Sequence, residues 1–258
     1  MTDRAPAGGP LLAATAYRDI RGRRFEVAVL PWGATEAHNL HLPFGTDIVE
    51  TEAIAACSAR IALERGASVI VLPVVPFGVN TQQMDIPLTI NMNPSTQMAV
   101  LDDVAASIDA HGVRKLVVLN GHGGNDFRQM IRELQGRRKA LLCTVNWYRA
   151  VPRERFFPVP GDHADEMETS LMMHIAPHLV LPLAEAGPGN AKQHRLRAFR
   201  EGWAWAPRRW TSVSADTGAG DPRGATAEKG KAWFDAVTEA VAGFLVDLSA
   251  ADPDDMYA

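Results

Sequence analysis

Four short apolar runs, residues 27–31, 69–75, 115–120 and 140–146, are rich in Val and Leu and show no inside–outside alternation. A strand of that kind is buried on both faces, which is the mark of a parallel sheet covered by helices on either side. The stretches between them agree. Residues 48–65 and 95–111 carry apolar positions at helical spacing, with Pro94 at the start of the second and Gly66 and Gly112 just past the two ends. Residues 126–138, 167–178 and 225–248 read as three further helices. Strand and helix alternate along the chain, so the expected fold is α/β with a mostly parallel sheet, right-handed crossovers and helices on both faces.

The 258 residues are read as one domain, 1–258, with its core over about 26–248. Residues 182–221 form an irregular excursion that holds Trp203, Trp205 and Trp210. A stretch of that length predicts a lid, an oligomer contact or strands without a readable pattern. A net charge of −4 gives no electrostatic basis for binding nucleic acid or an anionic membrane. No apolar run is long enough to span a bilayer, and the first twenty residues lack the pattern of a signal peptide. Cys57 and Cys143 form no ligand-type pair and read as reduced thiols, so a cytoplasmic protein is expected.

In such a sheet, ligands lie beyond the carboxyl ends of the strands, and the reactive side chains of this sequence follow strands. GATEAHNLHLPFGTD, residues 33–47, follows the first and holds Glu36, His38, His41 and Asp47. In extended chain Glu36 and His38 point the same way, and Pro43 and Gly45 favour the turn that returns Asp47. Carboxylate and imidazole together suit Zn, Mn or Fe; the alternative is a plain helix cap at Thr46 or Asp47. LNGHGGND, residues 119–126, follows the third strand. Its glycines let backbone approach a ligand, with His122 at the tip. The Walker Lys and Ser/Thr are absent, and the glycine spacing is not that of a dinucleotide site. DHADEMETS, residues 162–170, enters the fourth helix. Its acidic residues suit the helix dipole, but Glu168 lies among Met167, Leu171 and Met172, and a buried carboxylate needs a partner. A metal pair needs about five or six ligands with one carboxylate between the ions. Glu36, His38, Asp47, His122 and Glu168 make up such a set.

The order Glu36-x-His38, Leu42-Pro43-x-Gly45-Thr46-Asp47, Asn120-Gly121-His122-Gly123-Gly124-Asn125, His163, Glu168-Thr169-Ser170 and a Gly220-Asp221-Pro222 … Ala225-Thr226-x-Glu228-Lys229-Gly230 tail resembles the creatininase (creatinine amidohydrolase) family over roughly residues 26–245. The resemblance implies a three-layer αβα sandwich, two divalent metal ions per chain (Zn, Mn or Fe) and a homo-oligomer, often a hexamer. Members of that family open the creatinine ring, remove a formyl group from a pyrimidine intermediate, or trim a peptide in mycofactocin maturation. Carried across, Glu36 and His122 are ligands of one ion and His38 of the other. Asp47 is the bridge and His163 the catalytic histidine. Creatininase has a glutamate two residues beyond the metal-binding histidine, where this chain has Gly124, so Glu168 is expected to complete the second site. Creatininase also has a tryptophan where this chain has Val159, which argues against creatinine as substrate. Asp165 stands where many members have Gly, and is expected to alter the pocket near His163.

The resulting expectation is a metal-dependent amidohydrolase that cleaves a cyclic or other non-peptide amide, or a formamide, in a small molecule through hydroxide held on two ions. Gly123 and Gly124 offer N–H groups to an oxyanion. Asn125 orients the substrate or caps the helix that follows. His163 passes a proton to the leaving nitrogen, and His41 is supporting or structural. The alternatives are a mycofactocin-type metallopeptidase, a metallophosphoesterase (whose D-x-H start is missing) and a non-catalytic metal-binding scaffold. The three tryptophans of 182–221 are either an aromatic wall over the substrate or subunit contacts.

Overall fold

The computed structural model describes residues 9–257. The apolar runs pair as a four-stranded parallel sheet: β1 (Val27–Trp32), β2 (Val69–Val71), β3 (Lys115–Asn120) and β4 (Leu141–Asn146), in the order β2–β1–β3–β4. The helices are α1 (Tyr17–Ile20), α2 (Thr46–Glu64), α3 (Pro94–Ala110), α4 (Arg128–Gln135), α5 (Glu166–Ile175), α6 (Arg197–Arg200), α7 (Trp210–Val213) and α8 (Ala227–Ala250).

The absence of alternation has a direct structural cause. Successive strand residues point to opposite faces, and both faces here are apolar. Val27 and Val29 pack with Ile54 and Ala55 of α2 and Trp233, Val237 and Val241 of α8. Ala28, Leu30 and Trp32 pack with Leu101 and Ala105 of α3 and with Phe127 and Leu134 beside α4. Helices α2, α5 and α8 thus cover one face and α3 and α4 the other, giving the three-layer αβα arrangement.

Several element ends differ from expectation, α4 (128–135 rather than 126–138) among them, and two have a plain local cause. β2 stops at Val71, whereas the sequence predicts 69–75. Pro73 has no N–H to give the ladder, and pairing resumes only at a single bridge between Trp32 and Val75. Helix α5 ends at Ile175 rather than 178 because Pro177 cannot continue it. The 182–221 excursion contains no strand among the described residues; it holds one 3₁₀ turn, α6 and α7. Its course is fixed by side chains. Asn39 accepts from the Gly187 N–H at 2.8 Å and donates to the Gly187 carbonyl at 3.1 Å. Asp216 accepts from the N–H groups of Gly189 and Gly218 and from the Ser214 hydroxyl. Among the described residues no helix is long and apolar enough to cross a membrane.

The strand order positions the site. From β1 the chain moves to β2 on one side, and β3 lies on the other. The loops that leave β1 and β3 therefore diverge over a crevice at the carboxyl edge, the place where such sheets bind ligands. Register makes this edge even: Trp32 pairs with Asn120, and Asn120 with Asn146.

Candidate metal centre

The loop after β1 folds back on itself. Glu36 N–H donates to the Phe44 carbonyl at 3.1 Å, and His38 and Leu42 form an antiparallel bridge. This returns the chain so that Asp47, in the first turn of α2, lies beside Glu36 and His38. The approach depends on Gly33: a Cβ there would come within 2.9 Å of the Asp47 carbonyl carbon and the Ile48 nitrogen. His122 enters from the loop after β3. His163 and Glu168 enter from the turn into α5, which Asp165 caps by accepting from the N–H groups of Met167 and Glu168. Arg153 holds the other Asp165 oxygen at 2.8 Å.

Three imidazoles converge here in one pattern. His38 Nδ1 lies 3.0 Å from the Glu36 carbonyl, His122 Nε2 3.0 Å from the Val79 carbonyl, and His163 Nε2 2.8 Å from the Ala37 carbonyl. A carbonyl only accepts, so each of these nitrogens carries a proton, and the opposite nitrogen is the one that faces the site. All three of these nitrogens face carboxylates; those of His38 and His122 donate to them while protonated and offer a lone pair once the proton is lost. His38 Nε2 is 3.2 Å from Asp47 Oδ1; His122 Nδ1 is 2.9 Å from Glu36 Oε1 and 3.1 Å from Asp47 Oδ2; His163 Nδ1 is 3.8 Å from Glu36 Oε1. Imidazoles fixed through one nitrogen by backbone carbonyls, with the other aimed at carboxylates, are oriented as metal ligands are. Asp47 has one oxygen toward each of two different histidines.

Three triads of donor atoms each fit within 4.8 Å: Glu36, Asp47 and His122; His38, Asp47 and Glu168; and Glu36, His38 and His163. The structure therefore gathers Glu36, His38, Asp47, His122, His163 and Glu168 in one place. Without a cation, protons and ion pairs hold the cluster together. Burial disfavours charge on His38, but the Asp47 carboxylate prevails and raises it to about 9. Burial likewise opposes, and Glu36 and Asp47 outweigh it, in lifting His122 well above the usual imidazole range. Burial raises Glu168 to about 8 against the pull of His38. Burial also resists ionisation of Glu36 and Asp47, yet His122 and His163 draw Glu36 below its ordinary value, and His38 and His122 do the same for Asp47. His163 goes the other way: burial and the neighbouring His38 lower it, so it is the neutral member of the three.

Gly123 and Gly124 line the cleft with His122. Gly124 has no room for a side chain, since a Cβ would overlap the His122 ring and the Val79 carbonyl that holds it. A glutamate at 124 is incompatible with this His122 rotamer, and Glu168 reaches the second triad from α5 instead. Gly124→Ala is expected to displace His122, to cost about 1–3 kcal/mol of stability from overpacking, and to weaken metal binding. Thermal unfolding and metal titration check both, with Gly123→Ala, where a Cβ meets open space, as the neutral control.

Asn125 does not cap α4, whose start at Arg128 has no side-chain cap. Its Oδ1 accepts from Val79 N–H and Gln97 Nε2, and its Nδ2 donates to Asn120 Oδ1, so it locks the loop from behind. His41 donates to or accepts from the Thr169 hydroxyl at 2.8 Å, away from the triads. Of the tryptophans, Trp203 and Trp205 are exposed, while Trp210 is buried with its ring edge-on to His163 at 5.2 Å. Val159 is half-exposed and absent from the cleft lining, so the aromatic cover of His163 comes from Trp210.

Two participants carry no sequence signal of their own. Gln83 hydrogen-bonds Glu36 Oε2 and so turns the other oxygen toward His122 and His163. Glu50, one turn beyond Asp47, is fully buried, and neither carboxyl oxygen has a partner among the described residues. Burial, with Glu168, Asp47 and Asp165 nearby, keeps it protonated.

The profile of the creatininase family, creatinine amidohydrolase, matches residues 12–245. The chain belongs to the creatininase family. A crystal structure of a provisionally assigned creatinine amidohydrolase from Bacteroides fragilis is 40% identical, with a TM-score of 0.91 over 97% of this chain and 99% of that one. The mycofactocin precursor peptide peptidase of Mycobacterium tuberculosis is 29% identical over 222 residues, 82% of this chain and 81% of the relative. A manganese form of creatininase shares the fold at 20% identity, with a TM-score of 0.76 over 94% of this chain and 100% of that one. This creatininase-family protein is therefore an amidohydrolase, an enzyme acting on C–N bonds.

Proposed function

We propose that this enzyme hydrolyses an amide-like C–N bond with two divalent ions, one held by Glu36, Asp47 and His122 and the other by His38, Asp47 and Glu168. The observation that carries this reading is the Asp47 carboxylate, whose oxygens face different imidazoles at 3.2 and 3.1 Å. The donor set is oxygen and imidazole nitrogen throughout, which suits Zn, Mn or Fe. Bound there, the ions supply Lewis acidity that brings the pKa of water to about 7.

The chain's own residues do the remaining work. His163, neutral and held through Nε2 by the Ala37 carbonyl, has a free Nδ1 lone pair. It takes a proton from the attacking water and returns it to the leaving nitrogen. Gln83 fixes Glu36, and Trp210 restricts the mobility of His163 and excludes water from its edge. The peptide N–H groups of Gly123 and Gly124, at the cleft wall, are the candidates for holding the developing oxyanion.

The pKa shifts give a test of the ligand set. In the metal-free protein at neutral pH, His38, His122 and Glu168 all hold protons, and each must release one to bind a cation. Metal loading is expected to release roughly three protons per chain and to weaken as pH falls. Calorimetry in buffers of different ionisation enthalpy measures the number, and a release of none would remove these groups from the centre. The substrate class is tested by screening formamides, lactams and short peptides with metal-loaded enzyme. Turnover confined to aryl phosphates would end the amidohydrolase reading. A peptidase is the second reading, favoured by the mycofactocin relative. The exposed Trp203 and Trp205 support a homo-oligomer in which part of 182–221 is a subunit contact, and the reduced cysteines, with Cys143 raised by burial to about 12, support a cytoplasmic setting.

A further inference from the structure

The cleft that holds Asp47 and His163 has a volume of about 90 Å³, room for a reacting amide and little more. Beside it lies a cavity of about 620 Å³, and Asp162 and Arg208 line both. A substrate that fills the two has a body well beyond the bond that is cut. The charge of the outer cavity indicates what that body carries. Lys192, Arg200 and Arg208 line it against Asp162 and Asp221. Asp221 is neutralised by Arg223 at 2.6 Å, and Asp162 by Arg208 at 2.5 Å. Lys192 and Arg200 have no carboxylate within ion-pair distance among the described residues. Arg200 Nη1 donates to the carbonyls of His194 and Arg195 at 2.9 and 2.6 Å, which aims the guanidinium without cancelling its charge. Arg208 stacks 4.4 Å over the Trp210 ring, and Trp210 abuts His163, so the cationic wall and the cleft are joined through packed side chains.

We propose that this cavity binds the free carboxylate of an acyl-amino acid or short peptide whose amide occupies the cleft. Lys192 and Arg200 are the cationic partners, and the Arg208–Asp162 pair divides cavity from cleft. This rests on the hydrolase reading of the cleft. A guanidinium takes a carboxylate through two parallel hydrogen bonds, and the Lys192 ammonium adds a second cationic donor.

The test uses full-length, metal-loaded protein whose lysines carry ¹³C-methyl groups, which keep their charge; Lys192→Arg assigns the Lys192 signal. The probes are N-acetyl-diglycine and its C-terminal amide, which differ in the charge of the tail. The acid is expected to move the Lys192 signal saturably and to bind at least about tenfold more tightly than the amide, the scale of a charge-assisted hydrogen bond. Arg200→Gln, a change at an exposed position, is expected to reduce that preference severalfold. No saturable movement with the acid, or equal affinity for both probes, overturns the proposal. Tighter binding of inorganic phosphate than of the acid overturns the carboxylate assignment. Metal content is measured on the same samples, and the titration is repeated on stripped protein. Acid binding at Lys192 in a protein that takes up no metal on loading would keep the carboxylate site and sink the hydrolase reading instead.

Discussion

Asp47→Ala is expected to reduce bound metal from about two equivalents per chain to none and amide hydrolysis to background. The reason is geometric. Of the two triads assigned to the ions, Glu36 and His122 belong to one and His38 and Glu168 to the other, whereas Asp47 belongs to both; the third triad, Glu36, His38 and His163, lacks it. Losing it leaves each ion with two protein donors instead of three, and brings the ions' like charges together with no anion between them. The fold should survive. His38 and His122 are charged in the metal-free protein because Asp47 and Glu36 attract their protons, and a histidine that loses its carboxylate can shed the proton rather than remain an unpaired buried charge. Elemental analysis and circular dichroism on the purified variant test both halves. A folded Asp47→Ala protein that keeps two equivalents would show that the ions bind elsewhere.

His163→Ala is expected to give the opposite pattern, with metal content intact and kcat reduced by about two to four orders of magnitude, the usual loss for a general acid–base group. His163 belongs to a third triad with Glu36 and His38, but its Nδ1 lies 3.8 Å from Glu36 Oε1, the longest of the imidazole–carboxylate contacts. That leaves its lone pair for the reaction. Burial and His38 lower its pKa; the imidazole is therefore neutral at neutral pH, and activity should be lost as pH falls through a value below the ordinary imidazole range. In metal-saturated His163→Ala that acidic limb should vanish from the pH profile along with most of the rate. Loss of one metal equivalent in this variant would reassign His163 as a ligand.

How far the sequence discloses this arrangement follows from the range of the forces involved. The sheet is legible because burial on both faces leaves apolar runs at β1 and β3, and the half-buried edge strand β4 keeps enough of the same pattern. The end of β2 is not, because one missing N–H at Pro73 outweighs the apolar pattern on either side. Glu36, His38, Asp47 and His122 are legible because each follows a strand or opens a helix, where polar residues have no packing reason to gather. Glu168 shows itself as an acid among Met and Leu. Gln83 sits in a stretch without periodicity, and its bond to Glu36 spans 47 residues, so nothing local marks it. Trp210 is one of three tryptophans in a segment whose path is set by Asn39 and Asp216, and only that path decides which of the three meets His163. The setting of Asn125 is hidden because an exposed-looking loop amide proves to have Val79, Gln97 and Asn120 around it. Glu50 continues the helical pattern of α2 and gives no hint that its carboxyl is enclosed.

The most direct measurement is an anomalous-scattering map from crystals of the protein grown with the metal it retains on purification. Two peaks, one on either side of the Asp47 carboxylate, with Glu36 and His122 at the first and His38 and Glu168 at the second, are the predicted result. A lone peak, or a pair that leaves Asp47 attached to one ion alone, would contradict it.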